Sequence, residues 1–184
     1  MNTNSKSSLR TVDIAYIGLF VAVMAICSWI SIPAAIPFTL QTFAVFIAIG
    51  LLGGRRGTIA VFVYVLLGAV GLPVFSGFTG GLGALLGTTG GYIIGFIFSA
   101  LLMWAITAKF GEKTWVLGIS MVAGLVVCYA FGTAWFMLVY MAQSGAVALA
   151  TVLGWCVVPF IIPDLCKIAL ALLLTKQLKR HVRL

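Results

Sequence analysis

The chain has 184 residues, of which 63% are hydrophobic and only 8% are charged. A soluble domain carries about 25% charged residues, so this composition excludes a soluble globular protein and predicts one integral membrane domain over residues 1–184. The net charge of +8 does not indicate a nucleic-acid partner, because the basic residues form short clusters between apolar runs, as is typical of cytoplasmic connections in a bilayer protein.

The N-terminal part predicts a cytoplasmic lead-in over residues 1–10 and a first membrane span over residues 11–32. Within that span, Gly18, Ala22 and Ala25 recur at helical spacing and form a stripe of small side chains. Such a stripe lets another helix approach closely. Two interpretations stay open, a contact with a partner protein and packing against a helix of the same chain.

Two short apolar runs follow a proline-flanked break at residues 33–37. The runs cover residues 38–52 and 58–71, and a glycine- and arginine-containing cytoplasmic turn at 53–57 separates them. Fifteen helical residues extend about 22 Å, whereas the hydrocarbon core is about 30 Å thick. Non-helical chain from the outer side is therefore expected to complete both spans, and such chain is tolerated only where it lines a cavity or is buried in protein.

Residues 74–92 supply a suitable segment, because they contain seven glycines together with apolar side chains such as Phe75, Phe78 and Leu82. Glycine permits close approach of the backbone to a ligand. The alternative is a flexible surface loop, but the apolar side chains favour a segment packed back into the membrane. The chain has no phosphate-loop motif, so ATP binding is not expected in it.

The remaining runs predict three more spans, over residues 93–108 and 115–141 and through a last helix to Lys176. Basic residues at 109–113 and in a cytoplasmic tail at 177–184 mark alternate connections. The sequence therefore predicts an all-α membrane protein with about six transmembrane helices, both termini in the cytoplasm and outer loops that dip in to form a pocket.

The last predicted helix carries an acid and a base, Asp164 and Lys167, between long apolar runs. Residues at i and i+3 share a helix face. Charges at membrane depth cost roughly 2.5–3.5 kcal/mol each, so they usually face the interior of the protein and take part in its function. The alternative is an ion pair that neutralises itself. Pro159 and Pro163 lack N–H groups, so the helix is expected to kink or unwind beside the pair.

The sequence predicts no enzyme, no catalytic residue and no metal site. The four cysteines lie inside apolar runs without paired spacing, and His181, the only histidine, lies in the basic tail. These residues form no acid–base pair for hydrolytic chemistry.

Several motifs, taken together and in order, resemble the BioY family, the biotin-binding S components of energy-coupling factor transporters. They lie at residues 37–42, 68–75, 80–83, 87–92 and 163–167. Thr88 departs from the family pattern, which has a proline there. The resemblance implies a six-helix S component in a prokaryotic cell membrane, which captures biotin from outside. It also implies a transmembrane coupling protein and two ATPases as partners, with ATP bound only by the ATPases and no cofactor in this chain.

The resemblance also assigns candidate roles to individual residues. Asp164 and Lys167 suit the N–H groups and carbonyl of a ureido ring, because a carboxylate accepts and a lysine donates hydrogen bonds. The opposite pose, with Lys167 on the biotin carboxylate, stays open. The bicyclic ring and alkyl tail need apolar walls, for which Phe38, Phe75 and Tyr92 are candidates. The biotin carboxylate needs hydrogen-bond donors, and the candidates are the side chains of Thr39, Gln41 and Thr42 and the backbone of Gly81, Gly83, Gly90 and Gly91. The stripe of Gly18, Ala22 and Ala25 is the expected docking face for the coupling protein.

Two alternatives accompany this interpretation. One is a stand-alone biotin carrier, which could be oligomeric and proton-coupled with Asp164 as its proton site. The other is a structural membrane subunit or a membrane-embedded enzyme.

Overall fold

A computed structural model of the chain describes residues 9–33 and 36–179. Most of the predicted lead-in and the basic tail beyond Lys179, including His181, lie outside the described residues. The elements in chain order are α1 (Thr11–Trp29), β1 (Ser31–Ile32), β2 (Phe38–Thr39), α2 (Gln41–Ala69), a 3₁₀ turn (Ser76–Phe78), α3 (Leu82–Leu86), α4 (Gly90–Phe110), α5 (Thr114–Ser144), α6 (Leu149–Cys156) and α7 (Val158–Leu178).

The architecture is almost entirely helical, as predicted. Five helical stretches are long and apolar enough to cross a membrane, with α6 and α7 together forming the last of them. The two short strands pair antiparallel, with Ser31 opposite Thr39. Many large apolar side chains on the outside of the helices are exposed, for example Leu19, Val126 and Leu138. Lipid is the solvent that accommodates such a surface.

Helix α2 is a hairpin rather than one straight helix. Gly53 interrupts it with φ +78° and ψ 166°, a conformation open to glycine. Gln41 and Tyr64 would be about 35 Å apart along a straight helix, yet Gln41 Nε2 lies 2.8 Å from Tyr64 Oη. The arms 41–52 and 54–69 therefore run antiparallel and bring the bundle to six membrane-directed segments. The reversal is tighter than the predicted turn at 53–57, because Arg55 and Arg56 already belong to the second arm.

The break in the last span lies earlier than predicted. Val157 has φ −125° and ψ −57° and separates α6 from α7. Pro159 lies in the first turn of α7, where a missing N–H costs no helical bond. The helix then continues through Pro163 and past Asp164. The sequence predicted a kink or unwinding beside Pro159 and Pro163; the break lies two residues before Pro159, and the charged pair itself lies within α7.

The two ends of the bundle differ in character. At one, called here the basic end, Arg10, Asp13, Arg55, Arg56 and Glu112 surround a cavity of about 440 Å³. Arg56 Nε lies 3.1 Å from Asp13 Oδ1 and joins α2 to α1. At the opposite end, called here the cavity end, helix termini meet the irregular chain before and after α2.

Candidate ligand-binding site

A cavity of about 610 Å³ lies at the cavity end of the bundle. Small-molecule sites typically measure about 300–1,000 Å³. Its walls come from the start of α2, the glycine-rich segment, α4, α5 and α7. The lining residues are Ile36, Pro37, Thr39, Gln41, Thr42, Phe75, Ser76, Thr79, Gly80, Gly83, Ala84, Gly87, Thr88, Thr89, Tyr92, Ile93, Phe96, Cys128, Tyr129, Cys156, Phe160, Asp164 and Lys167.

Asp164 and Lys167 form a buried ion pair on one wall of this cavity. Lys167 Nζ lies 2.8 Å from Asp164 Oδ1, and the two side chains are 8% and 3% exposed. Thr42 Oγ1 donates to the same oxygen at 3.0 Å, and Tyr129 Oη donates to Oδ2 at 2.5 Å. A carboxylate has about four acceptor positions, two on each oxygen. Donors from the described residues occupy both positions on Oδ1 and one on Oδ2, so Oδ2 has room for one further N–H group from a ligand.

The ammonium group of Lys167 is held from several sides. It donates to the Thr39 carbonyl oxygen at 2.6 Å and to Thr42 Oγ1 at 3.2 Å, in addition to Asp164. The Phe38 ring centroid lies 4.2 Å from Nζ, a cation–π contact. The contact with Thr42 is the longest of these bonds and the one that a ligand carbonyl can replace most readily. The pair is thus preorganised for a ligand with both N–H and C=O groups.

The irregular chain is attached to the bundle at defined points. Phe75 is 1% exposed and fills the space beside Gly68, where an added Cβ would lie 2.0 Å from Phe75 Cζ. Trp29 Nε1 donates to the Pro73 carbonyl oxygen at 2.9 Å, and Trp135 Nε1 donates to that of Gly87 at 3.0 Å. Phe75 and Gly87 both line the cavity, so these attachments hold part of its wall in place.

The structure brings eight of the predicted ligand residues to the cavity wall and places four elsewhere. The eight are Thr39, Gln41, Thr42, Phe75, Gly83, Tyr92, Asp164 and Lys167. Phe38 lies behind the wall, where its ring supports Lys167 and stacks on Phe160 at a centroid distance of 5.8 Å.

Three predicted glycines serve packing or backbone bonding rather than the cavity wall. The Gly81 N–H donates to the Gly68 carbonyl oxygen at 2.6 Å. An added Cβ on Gly90 would lie 1.7 Å from the Leu85 carbonyl oxygen, and one on Gly91 would lie 2.2 Å from Trp135 Cβ. The sequence pattern indicates that these glycines permit close approach, but not that the approaching group is protein.

Several wall residues were not predicted, and Tyr129 is the most consequential. It lies in the middle of α5, within an apolar run that gives no indication of which face meets the cavity. Tyr129 carries the only side-chain hydroxyl between Ser120 and Thr133, and this isolated hydroxyl is the signal that could have identified it. Phe96, Cys128, Cys156 and Phe160 add apolar or weakly polar wall.

The predicted small-residue stripe on α1 is shorter than expected. Gly18 and Ala22 are exposed, and an added Cβ on Gly18 would meet nothing within 4 Å. Ala25 is only 6% exposed and belongs to the core, so its assignment to an accessible face is wrong. The chain covers this end of α1, because Ser28 Oγ donates to the Val74 carbonyl oxygen at 2.6 Å and the Leu40 N–H donates to that of Cys27.

Among residues 9–33 and 36–179, no group of three or more His, Cys, Asp and Glu side chains could hold a metal ion. Bundled helices of membrane length around a ligand-sized cavity define a membrane-embedded protein that binds a small molecule. The comparison with family models is specific: the model described as the BioY family matches residues 1–184. The chain belongs to the BioY family.

Individual relatives agree with this assignment. The biotin transporter BioY of Thermotoga maritima is 43% identical over 164 residues, which are 89% of this chain and 93% of that protein. A probable biotin transporter BioY of Pyrococcus horikoshii is 35% identical over 93% of this chain and 98% of its own length. A crystal structure of the S component for biotin from an ECF-type ABC transporter superposes with a TM-score of 0.82 at 28% identity, covering 98% of this chain and 95% of that one.

Proposed function

We propose that this chain is the biotin-binding S component of an energy-coupling factor transporter and that the 610 Å³ cavity is its substrate site. The observation that carries the proposal is the buried Asp164–Lys167 pair on a wall of that cavity, in a member of the BioY family. A self-neutralising pair in a purely structural subunit has no need of a ligand-sized cavity beside it.

The chemistry of biotin matches the groups on the wall. Its ureido ring has two N–H donors and one carbonyl acceptor, which suit the remaining position on Asp164 Oδ2 and the Lys167 ammonium group. Phe75, Phe96 and Phe160 supply apolar contact for the fused rings and alkyl tail. We place the biotin carboxylate near the backbone of Gly83, whose N–H group lies in the first turn of α3 and has no acceptor within that helix.

The basic end of the bundle is the cytoplasmic end by the positive-inside rule, which places the cavity towards the outside. We infer that biotin enters from there. The energising partners are a transmembrane coupling protein and two ATPases, which bind and hydrolyse ATP and so leave this chain without a cofactor.

Direct binding tests the function. Calorimetry on the purified protein in detergent, without ATP or partner proteins, should show saturable binding of one biotin per chain. Absence of binding by folded protein would refute the proposed function. Uptake by vesicles then separates the S component from the stand-alone carrier: we expect accumulation to require the coupling protein and ATPases, whereas a carrier would accumulate biotin alone and respond to a proton gradient.

The face of α1 around Gly18 and Ala22 is our candidate docking site for the coupling protein. Gly18→Leu should weaken co-purification with that protein and reduce uptake but leave biotin binding unchanged, because Gly18 is exposed and an added Cβ there meets no atom of this chain within 4 Å. Gly154→Leu is a matched control on α6, since Gly154 is also exposed and open to an added Cβ. Equal effects of the two variants on co-purification would remove the α1 face from the docking site.

A further inference from the structure

A buried polar junction lies behind the cavity, centred on Tyr64. This tyrosine is 0% exposed and comes from the second arm of α2. Its hydroxyl donates to the Val74 carbonyl oxygen at 2.8 Å, and Gln41 Nε2 from the first arm donates to Tyr64 Oη at 2.8 Å. Gln41 lines the cavity, whereas Tyr64 does not. The junction therefore connects a wall residue to a residue that no ligand touches.

The direction of these bonds determines how the Gln41 carboxamide is turned. A tyrosine hydroxyl has one proton, and a backbone carbonyl can only accept. The Tyr64 hydroxyl therefore donates its proton to the Val74 carbonyl oxygen, and its own oxygen can only accept a hydrogen bond from Gln41. Only the NH₂ end of the amide complements that lone pair. With the amide reversed, two oxygens would face each other without a proton between them, at the cost of an unsatisfied buried group.

We propose that Tyr64 is a positioning residue for substrate recognition, which turns the Gln41 amide so that its Oε1 accepts a hydrogen bond from an N–H group of the ligand. This inference rests on the proposed function, and under it the N–H group belongs to the ureido ring of biotin. It revises the expected role of Gln41, because an oriented amide oxygen repels the biotin carboxylate rather than binding it. Asp164 and Gln41 then both act as acceptors for the two ureido N–H groups.

Ser28 is a natural comparator for Tyr64. Ser28 Oγ lies 2.6 Å from the same Val74 carbonyl oxygen and 2.7 Å from the Ala25 carbonyl oxygen, and these two acceptors share its single proton. A role limited to holding the chain around Val74 is shared by both hydroxyls. The direct contact with Gln41 is made by Tyr64.

The test is a double-mutant cycle on purified protein, with biotin affinity measured by calorimetry and folding checked by melting temperature. Tyr64→Phe should weaken biotin binding by roughly 5- to 10-fold, the effect of one lost hydrogen bond. In a Gln41→Leu background, Tyr64→Phe should change the affinity by less than about twofold, because residues that act through each other are not additive. The loss of biotin affinity caused by Ser28→Ala should be the same in the wild-type protein and in the Gln41→Leu variant.

Biotin methyl ester identifies which end of the ligand Gln41 meets. Tyr64→Phe should weaken the ester and biotin by the same factor if Gln41 faces the ureido ring, and only biotin if it faces the carboxylate. Gln41→Glu gives an independent reading, because it keeps an acceptor for an N–H group but repels a carboxylate. We expect it to affect biotin and the ester equally.

Several results would overturn the inference. The first is that Tyr64→Phe binds biotin with wild-type affinity, and the second is that Tyr64→Phe lowers biotin affinity as much in the Gln41→Leu background as in the wild type. The third is that Tyr64→Phe lowers the affinity for biotin but not for the methyl ester. The fourth is that Tyr64→Phe fails to fold, which would make Tyr64 a residue of the fold. Wild-type protein that binds no biotin would refute the proposed function itself. Wild-type binding combined with an additive cycle would refute only the role of Tyr64.

Discussion

Both ends of the bundle contain a lysine–carboxylate ion pair, and the two pairs lie in opposite environments. At the cavity end, Lys167 and Asp164 are 8% and 3% exposed and share Thr42 as a further partner. At the basic end, Lys179 Nζ lies 2.5 Å from Glu112 Oε2, but the side chains are 32% and 52% exposed. The distances are similar, so geometry alone does not distinguish a functional pair from an incidental one.

Burial and connectivity make the difference. Water can replace either partner of the exposed Lys179–Glu112 pair, so this pair contributes about 0–1 kcal/mol. At the cavity end, removal of one partner leaves a charge without solvent, and every neighbour that donated to it loses its own partner as well. The Asp164–Lys167 and Glu112–Lys179 pairs therefore differ in how many other groups lose a partner when one member is removed.

The largest effect is expected when the buried pair is broken. Asp164→Asn presents an N–H to the donors that now surround the carboxylate, and Lys167→Met removes the charge above the Phe38 ring. Truncating one partner of a buried charged pair typically costs about 2–5 kcal/mol, which corresponds to roughly 30-fold to a few thousand-fold in biotin affinity. Calorimetry on folded, purified variants measures it.

The double variant Asp164→Asn/Lys167→Met is the control for this prediction. Recovery of biotin binding in the double variant would mean that the two charges only neutralise each other and that ligand contacts lie elsewhere. Wild-type affinity in both single variants would make the pair structural and would remove the contrast between the two ends.

An intermediate effect is expected from close packing at the cavity end. Gly90→Ala places a Cβ 1.7 Å from the Leu85 carbonyl oxygen, so the backbone that leads into α4 must shift. Overpacking of this kind typically costs about 1–3 kcal/mol. Gly83→Ala is the matched control in the same segment, because nothing lies within 4 Å of its added Cβ.

Melting temperature in detergent reports the outcome for the two glycine variants. We expect Gly90→Ala to melt below wild type and Gly83→Ala to melt with it. Equal melting temperatures of the two variants would show that the backbone at Gly90 shifts without a cost in stability. Close packing would then not distinguish the cavity end from the basic end.

The smallest effect is expected at the basic end. Glu112→Gln removes the charge opposite Lys179, and the exposed pair should be worth at most about 1 kcal/mol. Thermal unfolding at low and high salt measures it, and any difference from wild type should shrink as salt increases. A loss of stability comparable to that of Gly90→Ala, unchanged by salt, would show that this pair too is held in a solvent-free network.

The sequence alone predicted the membrane class, the helical fold, the shared face of Asp164 and Lys167 and the family. These follow from composition, from helical periodicity and from motifs, all of which are local along the chain. The glycines and arginines of residues 53–57 likewise predicted a turn between the two short runs, because basic residues mark the cytoplasmic connections of a membrane protein.

Only the tertiary structure decided which of the singled-out residues reach the cavity. Gly90 and Gly91 lie against protein, Ala25 is buried in the core, and Tyr129 reaches Asp164 across 35 positions of sequence. The same holds for Tyr64, whose significance depends on a hydroxyl proton donated to Val74. Local pattern determines which face of a helix a residue occupies, but contacts between remote segments determine what that face meets, and hydrogen-bond direction depends on every partner at once.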